Sequence, residues 1–144
     1  MNIKKALKTK NKLVKIANEH YQKVSQYNSM EEGASRPYSA KEMLNNWIEA
    51  TNELVDLKTK IHMANAPVYG KIFRLAELKS MVSKLNSVNC EEGKSSRGRW
   101  NSDDGLIMTA EISIIERDTM VKNLESEIER LQDELDAHNA TTEI

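Results

Sequence analysis

Val121, Leu124, Ile128, Leu131, Leu135 and His138 follow one another at steps of three, four, three, four and three residues. That alternation brings each side chain back to one edge of an α-helix, the pattern of a heptad seam. A strand, whose side chains alternate every second residue, cannot use it. The seam lasts only about two and a half heptads, so it suits either a coiled coil or one amphipathic helix of a bundle. In both cases the rest of the chain, or a second copy, has to cover it.

The remaining sequence supplies more helices. Ile3, Leu7, Val14, Ala17, Tyr21 and Val24 recur at helical spacing over residues 3–27, with lysines on the other face. Residues 28–38 contain Gly33 and Pro37, which mark a loop, and Pro37 disfavours helix at Arg36. Ser39 with Glu42 reads as a capping box opening a second helix over 39–63. Its apolar side holds Met43, Leu44, Trp47, Ile48, Leu54, Val55, Leu57 and Ile61. Asn65 and Pro67 suit the start of a third helix over 67–88, with Asn65 as its cap. Its apolar positions are Val68, Ile72, Leu75, Leu78, Val82 and Leu85. Residues 89–105 form an irregular loop of a length that is usually functional or unstructured. In 106–115, Met108, Ala110, Ile112 and Ile114 alternate, which predicts an extended arm pairing with 94–100 or with another subunit. The seam helix then covers 116–138.

The expected fold is one mostly α domain over 1–144. It is a four-helix antiparallel bundle, or an assembly of helical hairpins, with a short β-arm or hairpin near 94–115 and a coiled-coil-like last helix. Aromatic residues make up 5 % of the chain and charged residues 30 %. Such a balance gives narrow apolar stripes rather than a thick core, and it points to burial against further copies of the chain.

Charge is unevenly spread. Residues 1–27 carry seven lysines against Glu19, a balance of +6, while 116–144 carry nine acids against three bases, a balance of −6. Pairing of the two ends, within or between chains, is the simplest outcome. The lysine-rich helix has only Tyr21 and Tyr27 to stack on bases and no arginine, which argues against nucleic acid as a partner. Cys90 is the only cysteine, so an intrachain disulfide is excluded. With no leader-like start and no apolar run of bilayer length, the chain is expected in the cytoplasm, without a membrane partner.

No motif names a reaction or a metal. His20, His62 and His138 lie on separate helices without ligand spacing, and Cys90 is flanked by Glu91 and Glu92, which disfavour a thiolate. No catalytic residue and no cofactor is therefore expected. The binding signal is Ser95-Ser96-Arg97-Gly98-Arg99-Trp100. Two guanidinium forks grip phosphate or carboxylate, and the indole stacks on a base or covers the guanidinium groups. Further candidates are Tyr69 and Arg74 on the third helix, where Lys71 and Arg74 share a face, and the loop pair Arg36 and Tyr38. The tail 138–144 is uncharged for five residues after an acidic helix, which suggests that it docks rather than frays.

KTKIHMANAPVYGKIFRLAELKSMVSKL over 58–85, AEISIIERD after it, and the closing LQDELDAHNATTEI together resemble the septicolysin-like family of small helical bacterial and phage proteins. The resemblance covers most of the chain. At the end, where family members commonly carry Asn-Trp-x-Thr-x-Leu, this chain reads Asn139-Ala140-Thr141-Thr142-Glu143-Ile144. The resemblance implies a helical fold and homo-oligomerisation; it does not imply a pore, for which no suitable segment exists.

By analogy with phage proteins that sequester nucleotide immune signals, it also suggests a non-enzymatic homo-oligomer. Such a protein would hold an anionic ligand of ADP-ribose or cyclic-nucleotide type in an inter-subunit pocket, in the host cytoplasm if phage-encoded. Arg97, Arg99, Trp100, Arg74, Tyr69 and Arg117 are the expected contacts, with Arg36, Tyr38, Asn139 and Thr141 as further ones. The alternative is a structural or adaptor oligomer that engages a protein partner through its coiled-coil seam.

Overall fold

In a computed structural model, which describes residues 1–94 and 106–144, the chain is mostly helical. Helix α1 spans Ile3–Tyr27, α2 Ala40–Ala64, α3 Tyr69–Asn86 and α4 Ile114–Thr141; a 3-10 turn at Ala66–Val68 precedes α3. Strands β1, Gly93–Lys94, and β2, Ile107–Met108, form a two-stranded antiparallel sheet. This is the expected fold class, with two differences in the fourth quarter of the chain. The extended arm shrinks to two residues, paired with 93–94, and the last helix starts two residues early and ends three residues late.

The chain divides into two compact units, Met1–Val68 with Asp136–Ile144, and Tyr69–Leu135. In the first, α1 and α2 form an antiparallel hairpin. Asn2 caps α1, its Oδ1 accepting from Lys5 N–H at 2.9 Å, and Ser39 Oγ caps α2 by accepting from Glu42 N–H at 3.2 Å. Ile3, Ala6, Leu57 and Ile61 are buried together, with Leu7, Leu13, Ala64 and Ile144 packed around them. Among the described residues Ile3 is the largest fully buried side chain.

The closing segment is not frayed. Ile3 N–H donates to Thr142 O and Ile144 N–H to Met1 O, each at 3.0 Å, and Asn2 Nδ2 donates to Ala140 O at 3.0 Å. The tail thus docks on the start of its own chain, which gives 136–144 its place in the first unit.

In the second unit α3 and α4 run antiparallel, as Lys71 pairs with Glu134, Arg74 with Glu127, and Val88 with Arg117. Leu75 and Leu78 of α3 are buried, as are Val121, Leu131 and Leu135 of α4. The heptad seam is therefore covered within its own chain. β1 and β2 sit where the two helices are joined, with Gly93 opposite Met108 and Lys94 opposite Ile107. Gly93 needs its φ of +88°, a backbone that other residues rarely adopt.

Two other expectations are corrected. Val14 and Tyr21, assigned to the buried side of the first helix, are each 46 % exposed, and Ala6 takes the inner position instead. Tyr21 meets α2 only at the edge of the contact, where its ring lies 5.1 Å from that of Trp47. Asn65 does not cap α3 through its side chain: its carbonyl accepts from Val68 N–H at 2.9 Å, and its Oδ1 has no hydrogen-bond partner among the described residues.

Candidate functional site

Arg36 lies in the loop between α1 and α2 and folds back on the end of α1. Its Nε donates to Tyr27 O at 3.0 Å and its Nη2 to Asn28 O at 3.1 Å. Helix ends leave carbonyls unpaired and carry partial negative charge, and the last turn of α1 contains no basic side chain of its own. Arg36 supplies both the donors and the charge from across the turn. The Tyr27 and Tyr38 rings lie 5.6 Å apart, tilted by 44°, and Lys23 Nζ sits 4.3 Å from the centre of the Tyr38 ring, within cation–π range.

These contacts border a cleft of about 410 Å³ lined by Asn28, Arg36, Ser39, Ala40 and Lys41. Its charged side chains, Arg36 and Lys41, are both cationic. Arg36 Nη1 has no hydrogen-bond partner among the described residues, and Lys41 makes no ion pair among them. The first backbone N–H groups of α2 lie at the same place, where a helix presents partial positive charge. Chemically the cleft suits a small anion.

The other candidates fall elsewhere. Arg74 Nε donates to Glu127 Oε1 at 2.6 Å, and Lys71 Nζ lies 2.7 Å from Glu134 Oε2. Arg130 joins both acids, with Nη1 at 2.7 Å from Glu134 Oε1 and Nη2 at 3.9 Å from Glu127 Oε1. The hydrogen bond from Arg74 is the main cause that holds the Glu127 carboxyl below its ordinary pKa; Lys71 does the same for Glu134. The basic stripe that the sequence places on the third helix is thus matched by acids of α4.

Tyr69 stacks on Phe73 with ring centres 5.8 Å apart. Arg117 donates from Nη1 to Val88 O at 3.0 Å and from Nε and Nη2 to Asp118 Oδ1 at 3.1 and 3.0 Å. Thr141 Oγ1 donates to Ala137 O within its own helix. Asn139 lines a second cleft, of about 440 Å³, with Lys4, Leu7 and Asp136. Arg97, Arg99 and Trp100 lie outside the described residues.

Of the ten candidate contacts, Arg36 and Tyr38 come together at one end of the first hairpin. Asn139 and Thr141 lie near its opposite end, about 37 Å away by the rise of the 25 residues of α1. Tyr69, Arg74 and Arg117 belong to the second unit. Sequence reasoning missed Lys41 and Asn28 at the Arg36 cleft, and Lys23 over the Tyr38 ring. The capping box at Ser39 was the available signal, because it fixes where the first N–H groups of α2 point.

Among the described residues, no cluster of three or more His, Cys, Asp or Glu could hold a metal ion, and no helix is long and apolar enough to cross a membrane. Comparison of the chain with protein-family models, with curated proteins and with solved structures gave no match.

Proposed function

We propose that this protein is a non-enzymatic, self-associating helical protein that binds an anionic, nucleotide-like small molecule of ADP-ribose or cyclic-nucleotide type. Sequestration of such a signal, by a phage-encoded member of a septicolysin-like group, is the biological role that fits this reading. The observation that carries it is the cleft at the 28–41 turn. Arg36 and Lys41 offer charge for phosphate there, and Tyr38, packed on Tyr27, directly precedes the lining residue Ser39. Arg97, Arg99 and Trp100 offer the same chemistry in sequence.

Titration calorimetry against ADP-ribose, cyclic ADP-ribose and cyclic dinucleotides tests the reading. Binding is expected to at least one of them, weakened about tenfold or more by Lys41→Ala and by the double change Arg97→Ala, Arg99→Ala, the loss of one charge-assisted contact. Lys41 is the better probe than Arg36, whose removal also uncaps α1. No heat with any of these ligands would defeat the binding reading.

A second reading has its own support. Leu44, Ile48 and Val55 of α2 are 38 %, 50 % and 56 % exposed on one side of the helix, which suits a structural or adaptor oligomer with a protein partner. In that case the engaged surface is this face of α2. The α4 seam is already occupied by its own chain, with Leu131 3 % exposed.

A further inference from the structure

We infer that the outward face of α1, carrying Lys5, Lys8, Lys12 and Lys15, docks on the phosphate backbone of double-stranded nucleic acid without reading its sequence. This goes beyond the proposed function and uses none of the residues that line the Arg36 cleft.

The four lysines form one face. At about 100° per residue their bearings fall within about 80° of one another, on the side of α1 opposite the buried Ala6 and Ala17. Leu7, Leu13 and Val14, which stand between them in sequence, turn away from that side. All four lysines are exposed, and none makes an ion pair or a side-chain hydrogen bond among the described residues. Glu19, about one turn beyond Lys15, is the first acid on this face.

For α1 as a helix these lysines are unfavourable. Lys5 stands in the first turn, at the positive end of the helix dipole, and that turn contains no acid. Lys8 and Lys12 are neighbours at four residues and Lys12 and Lys15 at three, spacings at which like charges repel. Local rules broken in this way, with no ion pair in compensation, mark a surface shaped by something other than the fold.

The chemistry of the face selects its occupant. From Lys5 to Lys15 the helix rises about 15 Å. Over that length a duplex presents about nine phosphate charges, and each lysine that meets one releases condensed counterions. A protein partner is a poorer match, because the centres of protein interfaces are depleted in lysine and exposed lysine–carboxylate pairs contribute little. A membrane surface asks for an apolar side to bury, and that side of α1 lies against α2 through Ile3 and Ala6. The rings of α1 are also engaged elsewhere, Tyr21 with Trp47 at 5.1 Å and Tyr27 with Tyr38 at 5.6 Å. With no ring and no arginine on the face, stacking on single strands and bidentate reading of bases are excluded. The backbone of a duplex remains.

Fluorescence anisotropy on the full chain, with labelled DNA duplexes of two unrelated sequences, tests this. Both are expected to bind alike, with the logarithm of the binding constant falling against that of salt at a slope of about −3.6, for four phosphate contacts. Lys8→Gln with Lys12→Gln is expected to halve the slope and to weaken binding at least tenfold at about 50 mM salt. Circular dichroism should show its helix intact, because the exchange removes a like-charge pair. Lys79→Gln with Lys84→Gln removes the same charge from α3 and should leave the slope near the wild-type value. No binding to either duplex at about 50 mM salt, or a slope that Lys8→Gln with Lys12→Gln leaves unchanged, overturns the inference. Binding to phosphatidylserine vesicles or to single-stranded DNA in place of the duplex overturns it as well.

Discussion

Single ion pairs at a surface contribute little to stability, because water screens them and long side chains lose freedom in making them. The group formed by Lys71, Arg74, Glu127, Arg130 and Glu134 is of more use as a reporter of the α3–α4 pairing. Glu127 is held below its ordinary pKa first by the hydrogen bond from Arg74, against the opposing effect of desolvation. A carboxyl depressed in the folded state contributes stability that is fully present above its unfolded pKa and disappears as pH falls through the folded one. The expected outcome in Arg74→Gln is therefore an upward shift of the Glu127 carboxyl in an NMR titration, with Glu134, held first by Lys71, nearly unmoved. The acid limb of the melting curve should become shallower in the same variant, because the gap between folded and unfolded pKa that makes the Glu127 contribution pH-dependent closes. If Glu127 titrates alike in both proteins, the α3–α4 bridge does not exist in solution.

At the scale of elements, helix starts are set by caps, and here they show what could be read in advance. Ser39 and Glu42 announce α2, whose start the sequence places within a residue of the observed one. The same spacing recurs at Ser113 and Glu116: Ser113 Oγ accepts from Glu116 N–H at 3.1 Å, and Ser113 O accepts from Arg117 N–H at 2.9 Å. In sequence the alternation from Met108 to Ile114 predicts an extended arm up to 115, where the structure already begins α4 at Ile114. Two residues of alternation sufficed for β2, and the cap decided the rest.

Helix positions, the fold class and the buried seam were legible because each depends on local spacing. The bearing of Val14 and Tyr21 was not, because which of two adjacent stripes turns inward depends on the facing helix. The Arg36 cleft was half legible, as an arginine–aromatic pair without its lysine. Replacing Ser113 by Ala should cost about 1 kcal/mol in urea unfolding, the usual value of an N-cap, and Ser113→Asp should recover most of it. A cost near zero would mean that α4 starts later, at 116.

For the molecule as a whole, the decisive element is α4, an uninterrupted helix from Ile114 to Thr141 whose body belongs to one compact unit and whose last turn belongs to the other. Its end is tied by Thr142 O to Ile3 N–H, by Ala140 O to Asn2, and by Ile144 to the cluster around Ile3. A helix transmits the loss of its packing along its length only as far as its other contacts allow, because each broken turn frees the next carbonyl. Leu131 of the second unit is only 3 % exposed and lies about two and a half turns before Ala140. Leu131→Ala should remove about 2–5 kcal/mol from that unit, the range for a truncated core leucine.

Hydrogen exchange separates the two ways the molecule can respond. If α4 acts as a single element, amides of 138–142 should exchange faster in Leu131→Ala, and so should Ile3, whose N–H is held by Thr142. Amides near Ala17 and Ala50, inside the α1–α2 contact, should keep their protection, because that hairpin has a core of its own. Unchanged exchange at 138–142 would show that the tie to Asn2 and Ile3 holds the last turn independently of the rest of α4, and the first unit would then be complete without the second.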